Sequence, residues 1–405
     1  MRNSVIINQL FILREVFASI AFSVILCFHR KIETLINISM QVKDISRAIE
    51  AYAPIAYQES YDNCGLQVGD PDAHITGVLI SLDVTEDIVA EAIERGCNMI
   101  VVHHPLIFSG LKRITGRSYV ERVVHMAIRH DINIYAAHTN MDNVHNGVNE
   151  RVAHKLGLVD TRILLPKPGT LSKLYTYAPA DAADQVREAL FAAGAGHISE
   201  YSECSFNTPG TGTFRASANA NPAIGQAGGG REAIAEVKIE VLISRHQEGA
   251  VLQALRQSHP YEEVAYEIIA LQNTNQQVGA GMVGRLPEPM SGPDFLALVK
   301  KEMKTGCIRH TPLPGRPVQR VAWCGGAGSF LLRDAIAAGA DVFITGDFKY
   351  HQFFDAEGRI VIADIGHYES EQFTSEIFEA ILKRKFPNFA VLLSNLSTNP
   401  VKYFS

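Results

Sequence analysis

The sequence predicts an α/β protein: two related α/β halves form one metal-binding domain, interrupted by a ferredoxin-like insert. Three observations predict this. Apolar runs of strand length alternate with helical patterns, and the predicted strands over 98–102, 132–137 and 360–365 each end in residues of metal-ligating type. A shift of 243 residues lays Glu91-Ala92-Ile93-Glu94-Arg95-Gly96 on Asp334-Ala335-Ile336-Ala337-Ala338-Gly339, and Ile100-Val101-Val102 on Phe343-Ile344-Thr345. Between these stretches the predicted element order becomes βαββαβ, the split βαβ arrangement.

Residues 1–39 form a leader. Its apolar run over 16–28 is thirteen residues long, too short to span a bilayer as a helix, and no small-x-small cleavage site follows it. Met40 then opens a well-formed helix, so the leader is expected to be an extension or a mis-assigned upstream start.

The first half covers 40–167. Val42, Ile45, Ile49 and Ala53 share one face of a helix that Pro54 ends. A loop carrying Tyr61-Asp62-Asn63-Cys64-Gly65-Leu66-Gln67-Val68-Gly69-Asp70 mixes turn formers with a strand fragment. A strand over 78–82 leads to Asp83, and Thr85 is placed to cap a helix that closes at Gly96. The strand over 99–102 delivers His103 and His104. A helix over 119–130 and a strand over 132–137 lead to His138-Thr139-Asn140-Met141-Asp142-Asn143, and a helix over 148–156 stops at Gly157.

The insert covers 168–273, with strands over 174–178, 197–206, 237–244 and 264–271, and helices over 182–193 and 247–256. Residues 216–230 are rich in Ala, Gly and Asn without apolar period, which predicts a mobile loop. In the second half, 274–405, a strand over 321–323, the turn Cys324-Gly325-Gly326-Ala327-Gly328-Ser329, a helix over 330–338 and a strand over 342–345 repeat the earlier order. After the strand over 360–365, Gly366 opens a helical pattern that places His367 and Glu371 on one face, able to reach one ion together.

Composition narrows the function classes. A hydrophobic content of 47% supplies a core, and the net charge of −6 gives no positive field to draw nucleic acid or an anionic membrane. The cysteines are scattered without Cys-x-x-Cys spacing, so a reducing cytoplasm is the expected compartment.

Adjacent strand residues point to opposite faces, but Pro105 stops the strand at His103-His104, so both imidazoles can turn into one cavity. Two neighbouring histidines that only hydrogen-bond the core are the alternative reading. His367 with Glu371, and Asp142 in a turn-like setting, are weaker signals singly. Together, five residues at strand ends give three imidazoles and two carboxylates, a set that suits zinc, manganese, iron or cobalt better than magnesium or calcium. Two such ions could share a water and lower its pKa toward neutrality. Asp83, Asn63, Thr139, Asn140, Asp347, Lys349, His351 and Asp364 are candidates to line the same cleft, whereas His138 reads as a satisfied core histidine. The turn at Gly325-Gly326-Ala327-Gly328 could cradle a phosphate, but a tight strand-to-helix turn is the simpler reading.

The motifs Tyr61-Asp62-Asn63-Cys64-Gly65-Leu66-Gln67-Val68-Gly69, Val102-His103-His104-Pro105, Ala137-His138-Thr139-Asn140-Met141-Asp142, Thr345-Gly346-Asp347 and Gly366-His367-Tyr368-Glu369-Ser370-Glu371 resemble those of the GTP cyclohydrolase I type 2 homologues, the Nif-three-like dinuclear metal proteins. The resemblance runs from about residue 40 to the C-terminus. It implies a toroidal homohexamer with two divalent ions in each subunit, His104 and Asp142 on one ion, His103 and His367 on the other, and Glu371 bridging. It also implies that the insert is a PII/CutA-like domain. The expected function is a metal-dependent hydrolase of a nucleotide or related small molecule, with a non-enzymatic regulatory or structural metal-binding hexamer as the alternative and a phosphatase or nuclease as a third reading.

Overall fold

The structure is a computed structural model that describes residues 40–313 and 315–404. The leader and its apolar run lie outside the described residues. The chain begins with α1 (Val42–Tyr52), β1 (Gly65–Val68), β2 (Val78–Ser81), α2 (Glu86–Glu94), β3 (Met99–Val102), α3 (Tyr119–Arg129), β4 (Asn133–Ala136), α4 (Thr139–Asn143), α5 (Val148–Leu156) and β5 (Val159–Lys167). It continues through β6 (Leu171–Pro179), α6 (Ala183–Ala192), β7 (Ser205–Phe214), β8 (Glu232–Ser244), α7 (Glu248–Ser258) and β9 (Tyr266–Ala270). It closes with β10 (Asn275–Met290), α8 (Gly292–Glu302), β11 (Arg309–His310), β12 (Val318–Trp323), α9 (Leu332–Ala337), β13 (Val342–Thr345), β14 (Val361–Asp364), α10 (His367–Glu371), α11 (Thr374–Lys385) and β15 (Val391–Leu393).

Local chemistry sets many of these boundaries. The Thr85 hydroxyl accepts from the Ile88 amide at the start of α2, and the Ser118 hydroxyl accepts from the Glu121 amide at the start of α3. Gly157 takes φ +64 to end α5, a left-handed turn that glycine adopts without a Cβ penalty.

The strands form three sheets. The first has the order β1-β4-β3-β2-β15, with β4, β3, β2 and β15 parallel and β1 antiparallel at the edge. Every residue of β2, β3 and β4 is buried, which explains runs such as Met99-Ile100-Val101-Val102. The second has the order β11-β14-β13-β12-β10-β5, parallel across β14, β13 and β12 and antiparallel elsewhere. The third, antiparallel throughout, has the order β7-β8-β6-β9, and Val186, Leu190, Val251 and Leu255 of α6 and α7 join Leu174, Ile239 and Val241 in its core.

Two strands cross between chain regions. β15, near the C-terminus, pairs with β2 of the first sheet, and β5 pairs with β10 of the second. Helix α11 likewise places Ile377, Phe378 and Leu382 against Val42, Ile45 and Ile49 of α1. The sequence reading did not foresee β5, β10 or β15.

One predicted strand is displaced. The stretch expected over 197–206 holds an isolated Ile198–Tyr201 bridge, and extension begins at Ser205. Positive φ at Gly196, Ser199 and Glu203 breaks the earlier run. The true strand reads Thr-Pro-Gly-Thr-Gly on an exposed sheet edge, so it carries no apolar alternation to reveal it. Residues 215–231 form the loop between β7 and β8.

Candidate metal centre

β3 ends where the amides of His103 and His104 both donate to the Leu82 carbonyl, each at 3.0 Å. This double hydrogen bond turns the chain out of the sheet, so the two side chains do not diverge. His103 is fully buried, with Nδ1 held by the Ala137 carbonyl at 2.9 Å, which directs Nε2 into the cleft. His104 Nδ1 lies 2.7 Å from Asp83 Oδ1, which fixes its ring in the same way. Asp142 comes one helical turn after His138 in α4, its amide donating to the His138 carbonyl. On the other sheet, Gly366 at φ +95 turns β14 directly into α10. One turn of α10 then sets His367 Nε2 3.1 Å from Glu371 Oε2, while Asp347 Oδ2 holds His367 Nδ1 at 2.7 Å.

The other four predicted residues converge around Glu371. One of its oxygens lies 2.9 Å from His104 Nε2 and 3.1 Å from His367 Nε2, and the other lies 3.8 Å from His103 Nε2. His103 Nε2 is 3.5 Å from Asp142 Oδ1. Ligand atoms within 4.8 Å of one another define two sets that share Glu371: His103 with Asp142, and His104 with His367. The family resemblance implied the other grouping, His104 with Asp142 and His103 with His367. His103 points toward Asp142 of α4, whereas His104 points toward Glu371 of α10.

Close packing of these imidazoles and carboxylates shifts their titration in opposite directions. Burial, joined by the imidazoles of His104 and His138, pushes His103 down to about 4 against the pull of Glu371. Burial opposes protonation of His104 as well, but its hydrogen bonds to Asp83 and Glu371 raise it to about 10. His367 likewise rises to about 9 against burial, through Glu371 and then Asp347. Burial works against ionisation of Glu371, yet the imidazoles of His103, His104 and His367 hold it well below the usual carboxylate range. Asp142 is driven well above that range by burial and by the charge of Glu371. His103 Nε2 and Asp142 Oδ1 are both buried without a hydrogen-bond partner.

His138 is largely buried and satisfied through Nδ1, as expected, yet it also faces the cluster. It joins His103 and His104 as a third set of close ligand atoms, its ring 5.2 Å and 5.5 Å from theirs. Its Nδ1 is held at 2.9 Å by Asp62, a residue the sequence reading passed over within a loop of turn formers. Asp62 also accepts from the Thr139 amide and hydroxyl, and these bonds outweigh burial to keep it ionised. Among the other candidates, Asp83 and Asp347 orient the imidazoles of His104 and His367, and Asp364 pairs with Arg309 at the cleft wall. Asn140 instead donates to the Ala53 carbonyl, and exposed Asn63 bonds the Ile107 carbonyl. Lys349 and His351 lie exposed and do not line the cleft.

The glycine turn does not cradle phosphate. Its amides at Gly325, Gly326 and Gly328 already donate to Asn149 Oδ1, Ser370 Oγ and Thr345 Oγ1. It instead closes the wall beside Glu371: a Cβ on Gly326 would lie 2.4 Å from Glu371 Oε1. Two cavities, of about 810 and 610 Å³, reach the cluster, and His138 and His367 line both.

With this geometry in hand, a family model described as Duf34/NIF3 (NGG1p interacting factor 3) matches residues 40–400. The chain belongs to the DUF34/NIF3 family. Proteins named GTP cyclohydrolase 1 type 2 homolog are similar to this family member: that of Halalkalibacterium halodurans is 39% identical over 89% of this chain and 98% of its own length, and that of Bacillus subtilis 37% over 90% and 99%. Among solved structures, a Bacillus cereus protein related to NIF3 is 36% identical with a TM-score of 0.80, covering 90% of this chain and all of its own. The Staphylococcus aureus protein SA1388 is 31% identical with a TM-score of 0.71, covering 90% and 99%. Among the described residues, no helix is long and apolar enough to cross a membrane.

Proposed function

We propose that His103, Asp142, His104, His367 and Glu371 hold two divalent transition-metal cations, with Glu371 shared between them, and that the protein hydrolyses a nucleotide or related small molecule at this centre. The observation that carries this reading is the pair of orphaned buried atoms, His103 Nε2 and Asp142 Oδ1, facing each other at 3.5 Å. A buried acceptor left without a partner costs about 1–3 kcal/mol, and a cation between these two would satisfy both. The mixed imidazole and carboxylate donors suit zinc, manganese, iron or cobalt.

Bound there, the two cations would supply Lewis acidity and activate water near neutral pH. The chain's own residues do the rest. Asp83 and Asp347 fix the ligand tautomers of His104 and His367, and the Ala137 carbonyl does so for His103. Asp62 holds His138 Nδ1, leaving Nε2 as the atom that takes or returns a proton at the cleft. Tyr61 and Phe330, both largely exposed on the wall of the smaller cavity, offer flat apolar surface to a substrate ring.

The same reading includes the chain's organisation: halves at 40–167 and 274–405 that share one centre, a ferredoxin-like insert at 168–273, and a toroidal homohexamer. It is supported by the 243-residue offset that carries β3 onto β13, and by the antiparallel order of the third sheet. Light scattering checks the mass of the assembly.

A non-enzymatic regulatory role has one observation in its favour. Lys167 and Arg309, the Lys and Arg side chains lining the two cavities, are already engaged, the first by Glu59 and two carbonyls and the second by Asp364 and the Phe348 carbonyl. Among the described residues lining these cavities, a polyphosphate would meet no unpaired Lys or Arg side chain. Incubating metal-loaded protein with GTP, other nucleotides and a panel of phosphoesters, with products read by mass spectrometry, separates the readings. Turnover that disappears in Glu371→Ala supports the hydrolase, and silence on every compound supports the regulatory role.

A further inference from the structure

The C-terminal tail reaches the cluster by a route set in the first sheet. β15 runs parallel to β2, with Leu393 opposite Ile80, and the Ser394 amide still donates to the Ile80 carbonyl. Continuing in that direction, the tail passes the carboxyl end of β2, where Asp83 lies. Three consecutive side chains then bond to groups around the cluster. Ser397 Oγ lies 3.4 Å from the Tyr368 hydroxyl, Thr398 Oγ1 donates to Asp83 Oδ2 at 2.5 Å, and Asn399 Nδ2 donates to Glu369 Oε1 at 3.1 Å. Tyr368 and Glu369 sit on α10 between His367 and Glu371, whereas Asp83 lies in the turn after β2 of the first sheet. The tail therefore ties together the two chain regions that supply the cluster.

Thr398 has the most direct line to a ligand atom. Asp83 uses Oδ1 for His104 Nδ1 and Oδ2 for Thr398, so both of its oxygens are engaged and its carboxylate plane is fixed. That plane sets the direction of the His104 ring. Without the hydroxyl, Asp83 could rotate about its side-chain bonds and His104 would lose its fixed aim at Glu371.

We infer that Thr398 is a positioning residue of the metal centre, acting through Asp83 on His104, and that the tail is part of the site rather than a trailing end. The inference rests on the metal-binding reading given above. Outer partners of ligand histidines typically change metal affinity by about 10–100-fold when removed. Thr398→Val keeps the shape and removes the hydroxyl, and Thr398→Ser restores it.

The test uses the full-length protein loaded with cobalt(II), read by its visible absorption spectrum and by chelator competition. Thr398→Val is expected to weaken cobalt binding about tenfold and to alter the visible bands, with Thr398→Ser returning both to near wild type. Unchanged affinity and spectrum in Thr398→Val overturn the inference. So does a lower melting temperature of the metal-free variant with cobalt affinity intact, which would mark the bond as merely structural. Should Thr398→Val fail to fold, Thr398→Ser and Thr398→Ala are compared directly, and equal cobalt affinities in the two overturn it. A wild-type chain that takes up no cobalt overturns this inference together with the metal-binding reading, so the two failures are told apart.

Discussion

His104 and His367, 263 residues apart in the chain, present their Nε2 atoms to each other at 3.3 Å, with Glu371 Oε2 within 2.9 and 3.1 Å of them. Two bare ring nitrogens at that distance would repel. With His104 raised to about 10 and His367 to about 9, both rings are protonated at neutral pH and donate to the Glu371 carboxylate between them.

A cation entering the cluster must displace those protons. Metal affinity should therefore rise with pH up to about 9 to 10, and uptake at pH 7 should release about two protons from these rings. Titration calorimetry in buffers of different ionisation enthalpy measures this directly. Binding with no proton release would show that the rings are neutral before the ion arrives.

The same shifts set the stability of the metal-free protein. His104 and His367 have folded values above the ordinary histidine value of about 6.5, so their contribution is fully present below that pH and is lost as pH climbs through about 9 to 10. Glu371, held low in the folded state, contributes above its ordinary value and is lost as pH falls. Denaturant melts in a chelating buffer should therefore show a loss on the order of 2 kcal/mol between pH 7 and 10, after allowing for solvent screening of the more exposed His367. A curve that is flat or rising over that range would contradict the assignment.

Gly326 tests the wall beside Glu371. Its φ is +62, and an added Cβ would lie 2.4 Å from Glu371 Oε1 and 3.3 Å from His367 Cε1. Gly326→Ala should cost about 1–3 kcal/mol of stability and weaken metal binding by at least about tenfold, read by denaturant melts and chelator competition. Wild-type affinity in this variant would mean that Glu371 has room to move.

Much of the cluster was legible because ligand-type residues follow strands buried on both faces, and such strands write themselves as continuous apolar runs. Met99-Ile100-Val101-Val102 before His103 and Ile360-Val361-Ile362-Ala363 upstream of His367 are of this kind. The side-chain directions were less legible, because sequence order does not say whether His103 or His104 turns toward Asp142. That choice depends on the double hydrogen bond to the Leu82 carbonyl, a contact made only in the folded chain. Asp62 and Thr398 were hidden for another reason: each sits in a turn-rich polar stretch where such residues are ordinary, and their partners His138 and Asp83 are distant in sequence. β10 escaped notice because Gly279, Gly281, Gly284, Pro287 and Pro289 interrupt any alternation. β15 is only three residues long, and its place beside β2 is a long-range pairing that no local pattern encodes.

The most direct test of the central claim is the metal content of the purified protein after loading with a divalent transition metal and removal of excess, measured by elemental analysis against chain concentration. Close to two ions per chain is predicted for the wild type, falling to one or fewer in His104→Ala and near zero in Glu371→Ala, since Glu371 is shared. A wild-type content near zero, or a Glu371→Ala content equal to that of the wild type, would contradict the account.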